Sequence, residues 1–386
     1  MKSNKIRLGE QCVVTSSKRF HLSERITQGV PFYCSKEIIK KFNGEDVTEC
    51  DYISEDLYKK VSNEFGVPKE NDLLITTRGT IGIPYLYKRT DRFYFADGNL
   101  TWIKDFDSNL YSKFLYYWFQ SYEGRKKFEA LAKGTAQKAV PISGIKTLEI
   151  ELPSLKSQKR IADILSAYDD LIENNRKQIK LLEEAAQRLY KEWFVNLRFP
   201  GHENTKIVDG VPEGWHRGTI GQIAEFKRGR TITKAQVKEG NVPVIAGGLE
   251  PAYYHNVANT KAPVITISAS GANAGFVRLY GVDVFASDCS FVDGLGTESL
   301  FFVYEFLKES KVSIDQLQKG SAQPHVYAKD INAMKITIPE KEYLERFDRY
   351  AKVYFNKIKT LQGQNERLKT ARNLLLPKLM SGEAEV

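Results

Sequence analysis

The sequence predicts an α+β chain in which two β-rich domains alternate with two long helices. Three features predict it: a repeat about half the chain long, an unbroken helical period near the middle, and short β-branched runs ending in Gly-rich turns. The repeat is plainest where 131-LAKGTAQKAVPISGIKTLEIELP-153 is answered by 317-LQKGSAQPHVYAKDINAMKITIP-339. Lys133-Gly134-Thr135-Ala136-Gln137 aligns with Lys319-Gly320-Ser321-Ala322-Gln323 at an offset of 186, and Ile145, Ile150 and Pro153 meet Ile331, Ile336 and Pro339 at the same offset. A repeat of this size fixes the organisation before any local element does.

The elements follow in order. Upstream, 8-LGE-10 matches 220-IGQ-222 and 30-VPFY-33 matches 242-VPVI-245 at an offset of 212. The first copy therefore carries about 26 extra residues, the difference between the two offsets. The runs 73-LLITTRGTIG-82 and 264-VITISASGANAG-275 each read as a strand ending in a Gly-rich turn. Strands are expected at 73–77, 93–96, 147–152, 264–268 and 335–338, and helices at 108–131 and near 298–317. From 158 to 194 apolar residues recur at 3–4 spacing (Ile161, Ile164, Tyr168, Leu171, Leu182, Ala185, Leu189), with Asn175 and Gln178 as polar members and no Gly or Pro. This is a long helix with a coiled-coil seam, in which Asn175 could fix the register or simply be exposed. Adding 186 gives Phe347, Tyr354, Leu361, Leu368 and Leu375, a second long helix that Gly363 is expected to interrupt and Pro377 to end. The bridge 194–215, with Gly201, Gly210, Pro212 and Gly214, reads as a loop.

Bulk properties agree with two domains and something more: 386 residues, 42% hydrophobic and 27% charged. No apolar run approaches a membrane span, and the first twenty residues are polar and mixed, so a cytoplasmic protein is expected. Cys12, Cys34, Cys50 and Cys289 form neither a C-x-x-C nor a zinc spacing, which points to reduced thiols. The net charge of +9 is spread as +5 over 1–150, 0 over 151–210, +1 over 211–339 and +3 over 340–386. That excess permits nucleic-acid binding without demanding it.

Catalytic signatures are missing. There is no phosphate-loop motif, no dinucleotide fingerprint after a strand, and no N-P-P-F tetrapeptide of an amino-methylase. The loop 268-SASGANAG-275 lacks the lysine of a phosphate loop and reads as a turn. His21, His202, His216, His255 and His325 show no metal-binding spacing, and Glu149 and Glu151 share one strand face that reads as solvated. A binding protein is favoured over an enzyme.

The repeated turn K-G-[ST]-A-Q gathers a lysine, a glycine, a hydroxyl and an amide. Lysine and free backbone N–H groups suit phosphate oxygens, and glutamine can pair with the N6 and N7 edge of adenine. A polar surface turn packing a helix end would look similar, but duplication in matched context argues for use. A helix of about 35 residues spans roughly 50 Å. Two such helices can pair as a rod that holds two domains apart, on the scale of half-sites repeating every ~34 Å along one face of DNA.

These residues resemble the specificity subunit of Type I restriction-modification enzymes. The resemblance is carried by 152-LPSLKSQKRIADILSAYDDLIENNRKQIKLLE-183, 190-YKEWFVNLRFPG-201 and 211-VPEGWHRGTIGQI-223, with the paired turns and 73-LLITTRGTIG-82, and covers nearly the whole chain. It implies target recognition domains at 1–152 and 201–338, each reading half of a split site in double-stranded DNA. It implies conserved helical regions at 153–200 and 339–386, paired as an antiparallel coiled coil. Two methyltransferase subunits holding S-adenosylmethionine would dock on the helices, and two restriction subunits would add translocation and cleavage driven by ATP with Mg2+. This chain would hold no cofactor and do no bond chemistry. One departure is that Pro324-His325 stands where the first copy has Lys138-Ala139, so the two domains should read different sequences. From the matched loops, DNA contacts are expected from Lys133, Thr135, Gln137, Lys138, Lys319, Ser321, Gln323 and His325, from Arg78 beside Gly79, from Lys18 and Arg19, and from Arg228 and Arg230. Trp193, Phe194 and Phe199 are candidates either for docking a partner or for packing the helix on its neighbouring domain. Two other readings stay open: a recognition subunit of a methylation-only or orphan system, and a nuclease or methyltransferase with unrecognised motifs.

Overall fold

The structure is a computed structural model that describes residues 4–134, 138–320 and 323–384. It divides into two compact units that part at residues 174/175 and 364/365. Unit 1 runs β1 (Asn4–Arg7), β2 (Val13–Thr15), β3 (Val30–Tyr33), α1 (Ser35–Asn43), β4 (Asp51–Ile53), α2 (Glu55–Glu64), β5 (Leu73–Thr76), β6 (Pro84–Leu86), β7 (Tyr94–Phe95), β8 (Leu100–Lys104), α3 (Ser112–Gln120), α4 (Tyr122–Glu129), α5 (Ile142–Lys146) and β9 (Glu149–Leu152). The long α6 (Leu155–Tyr190) follows. Unit 2 then begins with a short hairpin, β10 (Ile207–Val208) and β11 (Val211–Pro212), inside the bridge expected to be loop alone. It continues with β12 (His216–Thr219), β13 (Lys227–Arg228), β14 (Val242–Ile245), β15 (Tyr253–His255), β16 (Val264–Ser268), β17 (Val277–Tyr280), β18 (Phe285–Ala286), β19 (Cys289–Asp293), α7 (Leu300–Glu309), α8 (Lys311–Gln316), α9 (Ala328–Asn332) and β20 (Lys335–Ile338). The last helix is α10 (Lys341–Ser381).

The two units share one topology. A four-stranded antiparallel sheet is ordered β2-β8-β5-β6 in unit 1 and β13-β19-β16-β17 in unit 2. A three-stranded sheet is ordered β4-β3-β7 and β15-β14-β18, with β3-β7 and β14-β18 parallel in matching register. The first and last strands of each domain pair antiparallel, β1 with β9 and β12 with β20. The central strands β5 (LLIT) and β16 (VITIS) are buried at every position, as suits β-branched residues covered on both faces. Most of the extra residues of the first copy now have an address, about 20 of the 26. The offset falls from 212 at Val30/Val242 to 192 at Ile75/Ile267, and the chain of unit 1 inserts α1 and α2 in that interval.

The helices depart from expectation at particular residues. In α6 the buried positions include Ile161, Ala162, Leu165, Ile172, Asn175, Ala186 and Tyr190, whereas Leu171, assigned to the seam from its spacing, is 52% exposed. The inward stripe keeps its 4-3 spacing through Ile161, Leu165, Ile172, Asn175, Ile179, Leu182 and Ala186, so Ile172 and not Leu171 belongs to it. Asn175 is buried, and its Nδ2 donates to Gln364 Oε1 at 3.4 Å. In α10 neither Gly363 nor Pro377 breaks the helix, which runs on to Ser381. Glycine and proline cost about 1 and 3 kcal/mol in a helix interior. Burial of Leu361, Leu376 and Leu379 offsets that, at roughly 1.5–3 kcal/mol for each side chain.

Each unit packs its own parts of the long helices against its sheet and short helices. In unit 1, Ile161, Ala162 and Leu165 share a core with Leu376, Leu379, Ile75, Phe114 and Phe119. Asp169 accepts from Tyr117 Oη at 2.7 Å and from the Arg372 guanidinium. In unit 2, Ala186, Tyr190 and Trp193 share a core with Phe347, Ala351, Ile267 and Phe302. The start of the helix next to the core is held differently in the two. Ahead of α3, Gln158 Oε1 accepts from Tyr111 N–H at 2.9 Å. At α7, Asp348 accepts from Phe301 and Phe302 N–H at 3.2 and 2.9 Å. Burial pushes the Asp348 carboxyl up to about 7, although both N–H groups favour its charged form.

All four cysteines are free thiols, and burial pushes Cys12 and Cys289 up to about 12.

Candidate nucleic-acid interface

The repeated turn is built the same way in both units. Lys133 and Ala139 exchange backbone hydrogen bonds at 2.8 and 2.9 Å, and Lys319 and His325 do so at 2.9 and 2.8 Å. Each closure needs a left-handed residue, supplied by Gly134 (φ 100°) and Gly320 (φ 97°). A Cβ on Gly320 would lie 2.8 Å from Gln323 O, so the turn excludes side chains there. Thr135, Gln137 and Ser321, named from the sequence, lie outside the described residues.

Each turn is also bridged to the end of the central strand. Ala139 pairs with Arg78 just past β5, and Val140 N–H donates to Thr77 O at 2.9 Å. His325 pairs with Ser270 just past β16, and Val326 N–H donates to Ala269 O at 3.0 Å. The loop 268–275 is thus a turn that holds the second copy of the repeat, not a phosphate cradle. Ser270 takes the place of Arg78, and His325 the place of Ala139.

The remaining predicted cations lie at the same end of the four-stranded sheet. Lys18 and Arg19 follow β2, and their side chains are exposed. The Lys18 N–H donates to Tyr94 Oη at 2.9 Å, and its ammonium sits 4.8 Å from the Phe65 ring centre. Arg19 Nε donates to Asp97 Oδ2 at 3.1 Å. In unit 2, Arg228 pairs with Asp288, which also accepts from Ser270 Oγ. Arg230 is exposed and anchored through its N–H to Ala286 O at 3.0 Å. Lys319 pairs with Asp330 at 2.8 Å. His325 Nδ1 lies 2.8 Å from Gln323 O, and its ring stacks on Tyr327 at 16°. Lys133 and Lys138 are exposed, and among the described residues neither forms an ion pair. The structure therefore joins Arg78 to Lys133, and Arg228 through Asp288 and Ser270 to His325 and Lys319. The sequence reading named neither Asp97 nor Asp288, although the pair 93-FYFADG-98 and 284-VFASDC-289 carried the signal.

The aromatic candidates on the helix are inside unit 2. Trp193 is 7% and Phe199 1% exposed, and Phe194 is half-buried against Phe302 and Phe347. Phe199 packs on Trp215 and Tyr343. Packing thus accounts for Trp193 and Phe199, which present almost no surface to a partner.

Glu149 and Glu151 face solvent beside Lys5, whose ammonium 2.6 Å from Glu149 lowers that carboxyl below its usual range. Among the described residues no cluster of His, Cys, Asp or Glu could hold a metal ion, and no helix is long and apolar enough to cross a membrane.

Two homologous α+β domains with matched polar turns at one sheet end define a duplicated recognition scaffold. Residues 3–184 and 212–370 match the family described as the Type I restriction modification DNA specificity domain. The chain belongs to this family. It is 27% identical over 300 residues to the Type I restriction enzyme MjaIX specificity subunit of Methanocaldococcus jannaschii, covering 71% of this chain and 69% of that one. It is 23% identical over 359 residues to the HindI specificity subunit of Haemophilus influenzae, covering 70% and 77%. The fold resembles the crystal structure of a Type I restriction-modification S subunit from M. genitalium, with a TM-score of 0.62 at 19% identity over 98% of this chain and 96% of that one.

Proposed function

We propose that this chain is the DNA sequence-recognition subunit of a Type I restriction-modification complex and binds a bipartite target in double-stranded DNA. The observation that carries this reading is the duplicated turn, bridged to the same strand end in both units of a chain of the specificity family. The domains 1–152 and 201–338 each read one half-site through these turns and the cations beside them. The chain itself does no bond chemistry. Adenine methylation belongs to two methyltransferase subunits that hold S-adenosylmethionine, and translocation and cleavage to two restriction subunits that use ATP and Mg2+. The complex works in the cytoplasm.

The helical regions 153–200 and 339–386 pair as an antiparallel coiled coil that spaces the half-sites and docks the methyltransferases. The core of unit 1, which joins Ile161 and Leu165 to Leu376 and Leu379, supports that pairing, as does the core of unit 2, which joins Tyr190 to Phe347. For docking, exposed apolar side chains on the helices of unit 2 suit a partner better than the buried Trp193 and Phe199. Leu181, Tyr350 and Val353 are 63%, 46% and 65% exposed. A shallow groove of about 350 Å³ lies beside them, lined by Leu181, Ala185, Leu189 and Tyr354.

The test is genome-wide adenine methylation in cells expressing a methyltransferase subunit with and without this chain. A split motif that appears only with this chain is the expected result. A stable complex that methylates no new motif would overturn the reading.

A further inference from the structure

We propose that Asp97 and Asp288 are positioning residues that hold Arg19 and Arg228 for reading one guanine in each half-site. The inference rests on the reading of this chain as a DNA-recognition subunit.

The two aspartates occupy one place in the fold. β3 pairs with β7 through Phe32–Tyr94 and Tyr33–Phe95, and β14 with β18 through Val244–Phe285 and Ile245–Ala286. Ala96 N–H then donates to Tyr33 O at 2.8 Å, and Ser287 N–H to Ile245 O at 2.8 Å. Asp97 and Asp288 are the next residues. The arginines that reach them do not share a place. At the local offset of 212, Arg19 aligns with Thr231 and Arg228 with Ser16. The acid stays fixed while the cation arrives from different positions of the neighbouring segment, so the pair itself is what the two domains have in common.

Stability does not explain that pairing. The Arg19 and Arg228 side chains are 75% and 49% exposed, and exposed ion pairs contribute little to folding. Orientation does explain it. A free arginine on a DNA-facing edge falls onto the nearest phosphate, because that attraction is strong at every sequence. A carboxylate that takes one guanidinium N–H fixes the plane of the group and leaves its other donors free. Two parallel N–H groups match the O6 and N7 acceptors of guanine in the major groove. Asp288 has a second tie, since it accepts from Ser270 Oγ in the turn that bridges to His325. The arginine of unit 2 is thereby held in register with the repeated turn. Arg78 stands in place of Ser270 in unit 1.

The experiment selects duplexes with randomised half-sites on the full chain in complex with its methyltransferase subunit. Four chains are compared: unmodified, Asp288→Asn, Arg228→Lys and Asp97→Asn. The unmodified chain should return a split motif with a guanine in each half. Asp288→Asn and Arg228→Lys should each lower the preference for that guanine by on the order of tenfold in the half-site of domain 2 alone. Asp97→Asn should do the same in the other half only. Lysine keeps the charge, so a phosphate contact would survive Arg228→Lys with the motif unchanged, and that result overturns the proposal. Equal weakening at all sequences after Asp288→Asn also overturns it. A motif that is intact in every variant sinks the positioning role while leaving the recognition subunit standing. No split motif from the unmodified chain sinks the reading beneath it.

Discussion

The recognition ends of the two units differ in charge more than in shape. Unit 1 presents Arg78, Lys133 and Lys138, and among the described residues none of these has an acidic partner. In unit 2 the equivalent edge carries Ser270 and His325, Lys319 is paired with Asp330, and Arg228 with Asp288. The Arg–Asp pair is common to both copies, Arg19–Asp97 and Arg228–Asp288, so the contrast lies in the turn and its bridge: three cations without acidic partners among the described residues in unit 1, against Ser270, His325 and the Lys319–Asp330 pair in unit 2. Phosphate attraction supplies affinity at any sequence, and fixed donors and acceptors supply discrimination. On the proposed function, that difference would tilt unit 1 towards the first and unit 2 towards the second.

The largest test asks whether the scaffold really is common to both. Ile75 and Ile267 occupy the same central-strand position, and both are fully buried. Truncating either to Ala should destabilise its unit by about 2–5 kcal/mol in urea unfolding. A neutral result at one of them would break the equivalence of the two cores. The second test addresses the edges. Arg78→Ala should weaken half-site binding by ~1–3 kcal/mol, whereas Ser270→Ala should have a smaller effect. Lys133→Ala should flatten the salt dependence by about one phosphate contact, a slope change of ~0.9, and Lys319→Ala by less. Filter binding over a salt series reads both, and equal slopes would erase the contrast.

The third test uses the helix caps. Unit 2 holds α7 with Asp348, raised to about 7, where unit 1 uses the neutral Gln158. A carboxyl raised on folding stabilises most while protonated, below its unfolded value near 4, and loses that contribution as pH climbs to about 7. Glu305 on α7, buried and raised to about 8, adds in the same direction over a window reaching about 8. Unit 2 should thus weaken by up to about 4 kcal/mol between pH 4 and 8 through Asp348, and Asp348→Asn should flatten that slope in thermal melts. A pH profile unchanged by the substitution would remove the contrast. The smallest effect is expected at the edge pair Lys5–Glu149, which is solvent-exposed. Lys5→Ala should leave the melting temperature of unit 1 unchanged within error, and a clear drop would show that the β1–β9 pair matters more than its exposure implies.

Much of this was legible in the sequence because the repeat carried it. Val264–Ser268 and Lys335–Ile338 are strands over the very residues expected. The expected helix at 108–131 is split by Ser121, which ends α3 and caps α4 by accepting from Gly124 N–H at 3.0 Å. Local propensity misjudged Gly363 and Pro377, because tertiary burial of Leu361, Leu376 and Leu379 around them holds the helix. It also placed Leu171 in the seam, where Ile172 packs instead. Among the candidate residues, the repeated turns were named from their spacing and Arg78 from its place beside Gly79, and the structure bridges Arg78 to the first turn. Asp97 and Asp288 were not named, since an arginine and an aspartate 78 or 60 positions apart announce no partnership until strands bring them together.

The pairing of first and last strands has a consequence for how such a chain can change. Asn4 lies opposite Leu152, and His216 opposite Ile338, so each domain begins and finishes on neighbouring strands about 5 Å apart. A domain built this way is a cassette. Exchanging everything between its two edges leaves both chain crossings, and the helices beyond them, where they were. Recombination at the two edges of one domain could replace that domain whole in a single event.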